Sequence, residues 1–241
     1  MIQSRSEPRV RKRPPVALFL SEESASINEG AGFLNRVLPD DIAALQTAGT
    51  PVSLDQGETL FLQGQVHAGV WIIEEGTIRT YDVGAEGREL TLAYWTAGHF
   101  VGGPELFGGG RHIWSAVAHR RSKLLFLSGP SLRRLAEHST SLALALIDGL
   151  VAKGKCYSAL VQILGTRSAS ERLELILGIM ADTHGRPVED GVLIERTITQ
   201  EQLALMLGTS RQWLSVSLEK LRGAGRITMS RHHIVLHNLG S

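Results

Sequence analysis

The pattern of apolar and polar residues changes along the chain, and its first part is typical of short strands. Between residues 51 and 128, apolar and polar positions alternate in runs such as ETLFLQ, VWIIEE and TIRTYDV, separated by glycine-containing turns. A period of two puts the apolar side chains on one face of a strand. Regular short strands of this kind indicate an antiparallel barrel or sandwich, in which Glu75-Gly76 and Glu86-Gly87 are predicted hairpin turns. We expect an N-terminal β-domain over residues 32–138.

A helical period replaces this alternation from Ser139 to Leu164. Large side chains recur at alternating spacings of four and three residues, which is the seam of a coiled coil. The stripe predicts a dimer interface, although it could instead pack on the chain's own β-domain. Gly165 to Ser168 follows as a predicted hinge, so residues 139–167 are assigned to a dimerisation helix and hinge. The members of the stripe are Leu146, Leu150, Lys153, Tyr157, Leu160 and Leu164.

The stretch from Ile198 to Ile227 has the most specific pattern, that of two short helices joined by a tight turn. Thr199 can cap the first helix, and Gln202 three residues later completes a capping box. Gly208 tolerates the left-handed conformation that ends a helix, and Ser210 can cap the second helix. An extended piece follows, so residues 168–241 are predicted to form a helix-turn-helix with a wing-like hairpin. The apolar stripe of the second helix consists of Leu214, Leu218 and Leu221.

The other face of the second helix offers groups that read DNA. The fork of Arg211 can pair with guanine, and the amide of Gln212 suits adenine. In helix-turn-helix units the N-terminal end of the second helix meets the base edges. Between residues 211 and 231 there are five Lys or Arg against one Glu, a local basic excess that suits phosphates. The predicted DNA-contacting residues are Thr199, Ser210, Arg211, Gln212, Ser215, Val216 and Arg222.

Composition limits where the chain can act. A net charge of +1 over 241 residues confines any DNA affinity to a local patch. The lone Cys156 excludes a disulfide framework and a four-thiolate iron–sulfur cluster built from this chain alone, and it favours a cytoplasmic location. No apolar run approaches the ~20 residues of a membrane span. Residues 1–31, rich in Pro, Ser and charged residues, are predicted to be a disordered arm.

The succession of β-domain, long helix, hinge and winged helix resembles the CRP/FNR superfamily of transcription regulators. The motifs are GETLFLQG, VWIIEEGTIRTY, AGHFVGG, WSAVA and TQEQLALMLGTSRQWLSVSLEKLRGAGRI, within residues 32–238. The resemblance implies an α+β fold with an N-terminal jelly-roll-like antiparallel β-barrel, a long dimerisation helix and a C-terminal winged helix-turn-helix. It further implies a homodimer on an inverted-repeat operator in double-stranded DNA, with a small-molecule effector and RNA polymerase as further candidate partners.

The recognition helix departs from the family at two positions. Ser210-Arg211 stand where the family has a serine–arginine pair, so Arg211 is the first expected base-reading residue. Gln212 replaces the usual Glu, and Val216 stands where the family commonly has a second Arg. A valine cannot donate a hydrogen bond and can only touch a thymine methyl. The resemblance therefore implies an operator that differs from the familiar family half-site.

The sensor segment departs from the cyclic-nucleotide branch of the family. Gly102-Gly103 replaces a Gly-Glu pair, and Trp114-Ser115-Ala116 replaces an Arg-Ser-Ala run. Without that Arg a phosphate has no bidentate partner, so cyclic AMP is not expected as the effector. Arg111 and Glu105 are out of register with the family residues. The predicted effector-binding residues are Gly102, Gly103, Glu105, Leu106, Trp114, Ser115, Tyr157 and Ser158.

Two other functions stay open at this point. The first is a haem-based gas or redox sensor, with His67, His99, His112 and Cys156 as candidate axial ligands. The second is a dimeric DNA-binding protein that needs no effector. An enzyme is not expected, because the sequence contains no GxSxG, HExxH or P-loop pattern. The closely spaced His pair of a cupin-like metal site is also missing, and no metal site is predicted.

Overall fold

The computed structural model describes residues 33–85, 87–195, 199–230 and 233–237, so the predicted arm at residues 1–31 lies outside the described part. The first described elements are a short 3-10 helix, Leu34–Arg36, and helix α1, Pro39–Ala48. Pro39 occupies the first turn of α1, where its missing N–H leaves no hydrogen bond unmade. Leu45 is the buried residue of α1 and anchors it to the β-domain.

Eight strands form the β-domain as two four-stranded antiparallel sheets, ordered β1-β8-β3-β6 and β2-β7-β4-β5. Buried side chains of both sheets meet in one core, with Ile73, Ile78, Trp95 and Leu124 at most 1% exposed. The jelly-roll-like α+β fold is confirmed, with the correction that the two sheets face each other and do not close into a barrel. The strands are Thr50–Leu54 (β1), Thr59–Phe61 (β2), Gly69–Glu75 (β3), Thr77–Val83 (β4), Glu89–Thr96 (β5), Phe100–Val101 (β6), Ser115–Ala118 (β7) and Ser122–Ser128 (β8).

Only one of the two predicted hairpin turns joins paired strands. β4 and β5 pair directly across the turn that contains Gly87. Glu75-Gly76 instead carries the chain from β3 in one sheet to β4 in the other. Gly76 has φ of +90°, and a Cβ there would lie 2.4 Å from the carbonyl oxygen of Arg121. A side chain would therefore not fit where the chain crosses the start of β8, which is why a glycine stands there. The alternation pattern alone does not distinguish such a crossing from a hairpin.

Two helices follow the β-domain, α2 at Gly129–His138 and α3 at Thr140–Thr166. Ser128 and Ser139 cap them by accepting backbone N–H groups. Helix α3 packs closely on the β-domain at Gly149, where a Cβ would lie 2.6 Å from Cε1 of Phe100. The predicted hinge is a short extended link at Arg167 and Ser168, after which α4 spans Ala169–His184.

The six residues of the predicted dimer interface on α3 pack within the chain itself, and their part in a dimer stays a prediction. Leu146, Lys153 and Leu160 are 3%, 9% and 7% exposed, and they pack in the chain's own core or against its rings. The other three predicted residues, Leu150, Tyr157 and Leu164, are partly buried against the same cores. The opposite face carries the unburied apolar stripe, in which Leu144, Ile147, Val151 and Val161 are between 48% and 69% exposed.

The C-terminal region combines three helices with a four-stranded sheet ordered β11-β12-β10-β9. The predicted wing hairpin is confirmed, because β11 and β12 pair antiparallel. Sequence analysis missed the β9–β10 hairpin, which is short and reads as a loop around Asp190-Gly191. After α4 the elements are Gly185–Val188 (β9), Gly191–Glu195 (β10), Gln200–Leu207 (α5), Arg211–Gly223 (α6), Ile227–Met229 (β11) and His233–His237 (β12).

Candidate functional site

The helix-turn-helix is held by local hydrogen bonds at the predicted positions. Thr199 Oγ1 accepts the N–H of Gln202 at 3.2 Å, and the side-chain oxygen of Gln202 accepts the N–H of Thr199 at 2.8 Å. Gly208 ends α5 in the left-handed conformation with φ of +64°. Ser210 then caps α6 by accepting the N–H of Trp213 at 3.1 Å. These contacts fix the angle at which α6 leaves the turn.

Helix α6 separates a packing face from an exposed face. Leu214 and Leu218 are buried, while Trp213 and Leu221 are partly buried against the same core. The side chains of the opposite face reach solvent and are free to approach a DNA groove. All seven predicted DNA-contacting residues are exposed, namely Thr199, Ser210, Arg211, Gln212, Ser215, Val216 and Arg222.

Ion pairs reduce the basic excess that the sequence offers to phosphates. Arg226 donates to both carboxylate oxygens of Glu174 at 2.6 and 3.1 Å, which fastens the start of β11 to α4. Arg222 pairs with Glu219 on the same helix at 2.5 Å, and both side chains are about half exposed. A surface pair of this kind is worth less than about 1 kcal/mol, so Arg222 can exchange Glu219 for a phosphate. Arg211 and Lys220 are exposed as well.

In the sensor segment, packing within the chain accounts for the two predicted glycines. Gly102 and Gly103 have φ of +154° and +143° and are buried. A Cβ on Gly102 would lie 3.0 Å from the carbonyl oxygen of Gly69, and one on Gly103 would lie 3.2 Å from the ring of His67. His112 Nδ1 donates to the Gly102 carbonyl at 2.7 Å. These close approaches to the start of β3 and to His67 explain why both positions are glycines.

The structure brings together only part of the predicted effector set. The rings of Trp114 and Tyr157 lie 5.3 Å apart where α3 meets the β-domain. Ser115, next to Trp114, is buried and accepts the N–H of Gln63 at 3.0 Å. Ser158 is exposed, because consecutive helix positions are turned by about 100°. The predicted effector contact of Ser158 stays a prediction.

The other two predicted effector residues lie apart from the Trp114–Tyr157 pair. Leu106 is 7% exposed and packs in the second hydrophobic core, with Phe33 and Leu127. Glu105 is exposed, and its carboxylate points towards Gly110. Arg111, the out-of-register candidate for a phosphate partner, donates to the Gly64 carbonyl at 2.7 Å and is also exposed.

Sequence analysis missed the role of Lys153, which it assigned to the dimer interface. The Lys153 ammonium lies 3.4 Å from the ring centre of Trp95 and 4.8 Å from that of Phe100. Burial lowers the pKa of Lys153 to about 7. The sequence signal that could have identified Lys153 is a lysine at an inward position of an otherwise apolar stripe, four residues before a tyrosine. We name Lys153, His99, Trp95, Phe100, Trp114 and Tyr157 the Lys153 cluster.

His99 completes the polar part of the Lys153 cluster. Its Nδ1 donates to the Thr96 carbonyl at 3.2 Å, while its buried Nε2 has no hydrogen-bond partner among the described residues. Burial, and then the charge of Lys153, lower the pKa of His99 to about 4, so the ring is neutral near pH 7. Burial also raises the pKa of the Tyr157 hydroxyl.

The four candidate haem ligands lie in two separate places. His67 and His112 are neighbours, with ring centroids 4.4 Å apart, and His112 stacks on Phe61 at 3.8 Å. His99 lies instead beside Trp95. Burial raises the pKa of the Cys156 thiol to about 12, which disfavours the thiolate that would ligate iron. Within the described ranges, no group of three or more His, Cys, Asp or Glu is arranged to hold a metal ion.

Comparisons with known proteins match both halves of the chain. The model of the cyclic nucleotide-binding domain matches residues 51–139, and that of the Crp-like helix-turn-helix domain matches residues 171–241. A global nitrogen regulator of Synechocystis is 24% identical over 188 residues, covering 77% of this chain and 84% of the relative. A CRP-like cAMP-activated global transcriptional regulator of Mycobacterium tuberculosis is 23% identical over 211 residues, covering 86% and 92%. Both relatives are regulators and not enzymes.

A solved structure supports the same fold. The c-di-GMP responsive global regulator CLP of Xanthomonas campestris superposes with a TM-score of 0.73 at 16% identity. The superposition covers 84% of this chain and 99% of that chain. Among the helices of the described part, none has both the length and the apolar character needed to cross a bilayer.

Proposed function

The chain belongs to the CRP/FNR superfamily of DNA-binding transcription regulators, and we propose that an effector other than cyclic AMP controls it. The effector would bind where α3 packs on the β-domain, next to Trp114 and Tyr157. One observation carries the proposal: the sensor loop presents Trp114 in place of a phosphate-pairing arginine. Arg111, the nearest cation in that loop, binds the Gly64 carbonyl and is exposed. A cyclic phosphate would therefore lose its hydration without gaining a bidentate partner.

For DNA recognition, we propose that Arg211 and Gln212 read bases from the first turn of α6. Both side chains are exposed at the N-terminal end of that helix, which is the end that enters the major groove in helix-turn-helix complexes. Val216, one turn later, is 50% exposed and offers only an apolar contact. The half-site should then contain a guanine and an adjacent adenine, followed by a thymine whose methyl group meets Val216.

The homodimer that the family uses would form through the exposed face of α3. Leu144, Ile147, Val151 and Val161 follow the three–four spacing of a coiled-coil seam, and Gly154 and Ser158 lie between them. Pairing this stripe with a second copy removes its apolar surface from water. A two-fold axis along α3 would place the two α6 helices towards one side of a duplex. The half-sites of the inverted repeat would then be about 34 Å apart.

The first test is an absorption spectrum and denaturing mass spectrometry of the protein purified from its native host. A bound small organic molecule without a Soret band is the expected result. A Soret band would instead favour the haem sensor and direct attention to the adjacent His67 and His112.

A second test measures DNA binding directly. Selection from a random duplex library should yield an inverted repeat, and cyclic AMP should leave the affinity for that repeat unchanged. An increase in operator affinity on adding cyclic AMP would contradict the proposed effector class. Unchanged operator affinity both with and without the co-purified molecule would favour the effector-independent DNA-binding protein.

A further inference from the structure

We propose that the effector is a small organic acid with an aromatic body, and that its carboxylate pairs with Lys153. This inference rests on the proposed function, because it names the ligand class of the site between α3 and the β-domain. It starts from the position of a single cation. Lys153 is 9% exposed, and its ammonium faces the rings of Trp95 and Phe100.

The buried ammonium lacks a counterion within the described ranges. No carboxylate there forms a salt bridge with Lys153, and the titratable groups that interact with it are His99 and Cys156. His99 is neutral near pH 7 because its pKa is lowered, and the Cys156 thiol is neutral because its pKa is raised. A buried charge is costly unless it is paired, and a ring face compensates only in part. A monoanion arriving at this point would supply the missing partner.

A hydrogen-bond acceptor without a partner lies near the Lys153 ammonium. The Nε2 atom of His99 is buried with a free lone pair, since Nδ1 carries the proton donated to Thr96. A hydroxyl or amide N–H on the effector could donate to it. The polar part of the Lys153 cluster therefore suits a carboxylate with a neighbouring hydrogen-bond donor, and one ammonium balances a single negative charge.

The rest of the cluster fits an aromatic body. Lys153 and Tyr157 are four residues apart on α3, so they share one face about 5–6 Å apart at Cβ. Tyr157 packs against Trp114 and Trp95, with ring centroids 5.3 and 6.2 Å apart. Trp114 and Tyr157 keep part of their surface exposed, and the aromatic ring of the effector would stack on that part. An effector that carries its carboxylate next to an aromatic ring, such as a benzoate or a phenylacetate, would meet both parts of the cluster.

Calorimetry with benzoate, phenylacetate and the uncharged benzamide tests the inference near pH 7. Lys153→Met removes the cation and keeps an unbranched apolar chain, whereas Lys155→Met removes an exposed lysine of the same helix. We expect at least one acid to bind the wild type and Lys155→Met equally, and to bind Lys153→Met at least about thirtyfold more weakly. Benzamide should bind more weakly than benzoate to the wild type and equally weakly to both variants.

Three results would overturn the inference: no binding of either acid at millimolar concentration, equal binding to Lys153→Met, or equal binding of benzamide and benzoate. Lys153→Gln serves as a second variant should Lys153→Met not fold, with its thermal unfolding as the check. The fate of the proposed function is read separately, from binding to the selected inverted repeat. A protein that binds the repeat but neither acid retains the proposed function and loses this inference.

Discussion

At the scale of single residues, the proposed pairing of Lys153 with an effector opposes the cost that its buried charge imposes on folding stability. Its pKa is about 7 in the folded chain and about 10.4 in an unfolded one. Between these values the unfolded state binds more protons, so stability should rise with pH across that window. The penalty of the buried charge is fully present below pH 7 and is lost as the pH approaches the unfolded pKa.

Lys153→Met should therefore stabilise the protein in the absence of any organic acid. We expect the free energy of unfolding to increase by about 1–4 kcal/mol near pH 6, the range seen when buried ionic groups are replaced by apolar ones. The gain should shrink near pH 10. Urea denaturation at the two pH values measures both effects, with Lys155→Met as the exposed control. A variant that is less stable than the wild type near pH 6 would contradict the assignment of an unpaired buried charge.

Arg211 is the residue on which sequence discrimination is expected to depend. Arg211→Ala should reduce the difference in binding free energy between the selected repeat and a scrambled duplex by about 1–3 kcal/mol, because a bidentate contact to guanine is lost. Lys220→Ala, an exposed change on the same helix, should weaken binding to both duplexes alike and reduce the salt dependence. Fluorescence anisotropy at two salt concentrations measures both ratios. Full discrimination by Arg211→Ala would remove it from the base-reading face.

At the scale of elements, α3 has two apolar faces, one covered by the chain's own cores and one exposed. The exposed stripe is the only seam of this helix that the chain's own cores leave uncovered in the described part. Ile147→Asp places two charges opposite each other at the proposed dimer contact and should produce monomers, which sedimentation velocity would detect. The monomer should keep its helix content, since Ile147 is 55% exposed. Val188→Asp makes the same kind of change on β9 and serves as the control, which should remain a dimer. If Ile147→Asp also remained a dimer, the interface would lie elsewhere.

The same helix shows where sequence reasoning stops. Alternation, capping residues and Gly208 predicted the β-domain and the helix-turn-helix, because each depends on contacts within a few residues. On α3, however, one seam runs through Leu146, Leu150 and Lys153 and another through Leu144, Ile147 and Val151. A helix that is apolar on two faces satisfies either assignment, and only tertiary packing decides which face is covered. The Lys153 cluster was missed for the same reason, since Trp95 and Phe100 reach it from distant strands.

At the scale of the whole molecule, β5 contacts both the Lys153 cluster and the helix-turn-helix. Trp95 near one end of the strand lies under the Lys153 ammonium. Leu90 near the other end has its Cδ1 atom 3.4 Å from the position that a Cβ would take on Gly208, at the turn between α5 and α6. Helix α5 packs along β5. A shift of this strand relative to α3 would therefore move the turn at which α6 begins.

This arrangement predicts reciprocal coupling between an aromatic acid and the operator. Saturating benzoate should change operator affinity by the same factor by which saturating operator changes benzoate affinity, because the two binding steps belong to one thermodynamic cycle. Typical couplings correspond to about 5–150-fold. Anisotropy and calorimetry on the same preparation provide the two factors. Unequal factors would indicate linked aggregation or a second site for the acid.

Leu90→Ala separates transmission from binding. It removes the contact with the turn at Gly208 while leaving every member of the Lys153 cluster in place. Benzoate should bind this variant as tightly as it binds the wild type in the absence of DNA, whereas the coupling factor should fall towards one. Leu92 lies two residues further along the same strand and is partly buried against the main core, so Leu92→Ala is a comparison that perturbs β5 but keeps the Leu90 side chain. If Leu90→Ala keeps the full coupling and Leu92→Ala loses it, the signal reaches α6 through the core and not through the contact of β5 with Gly208.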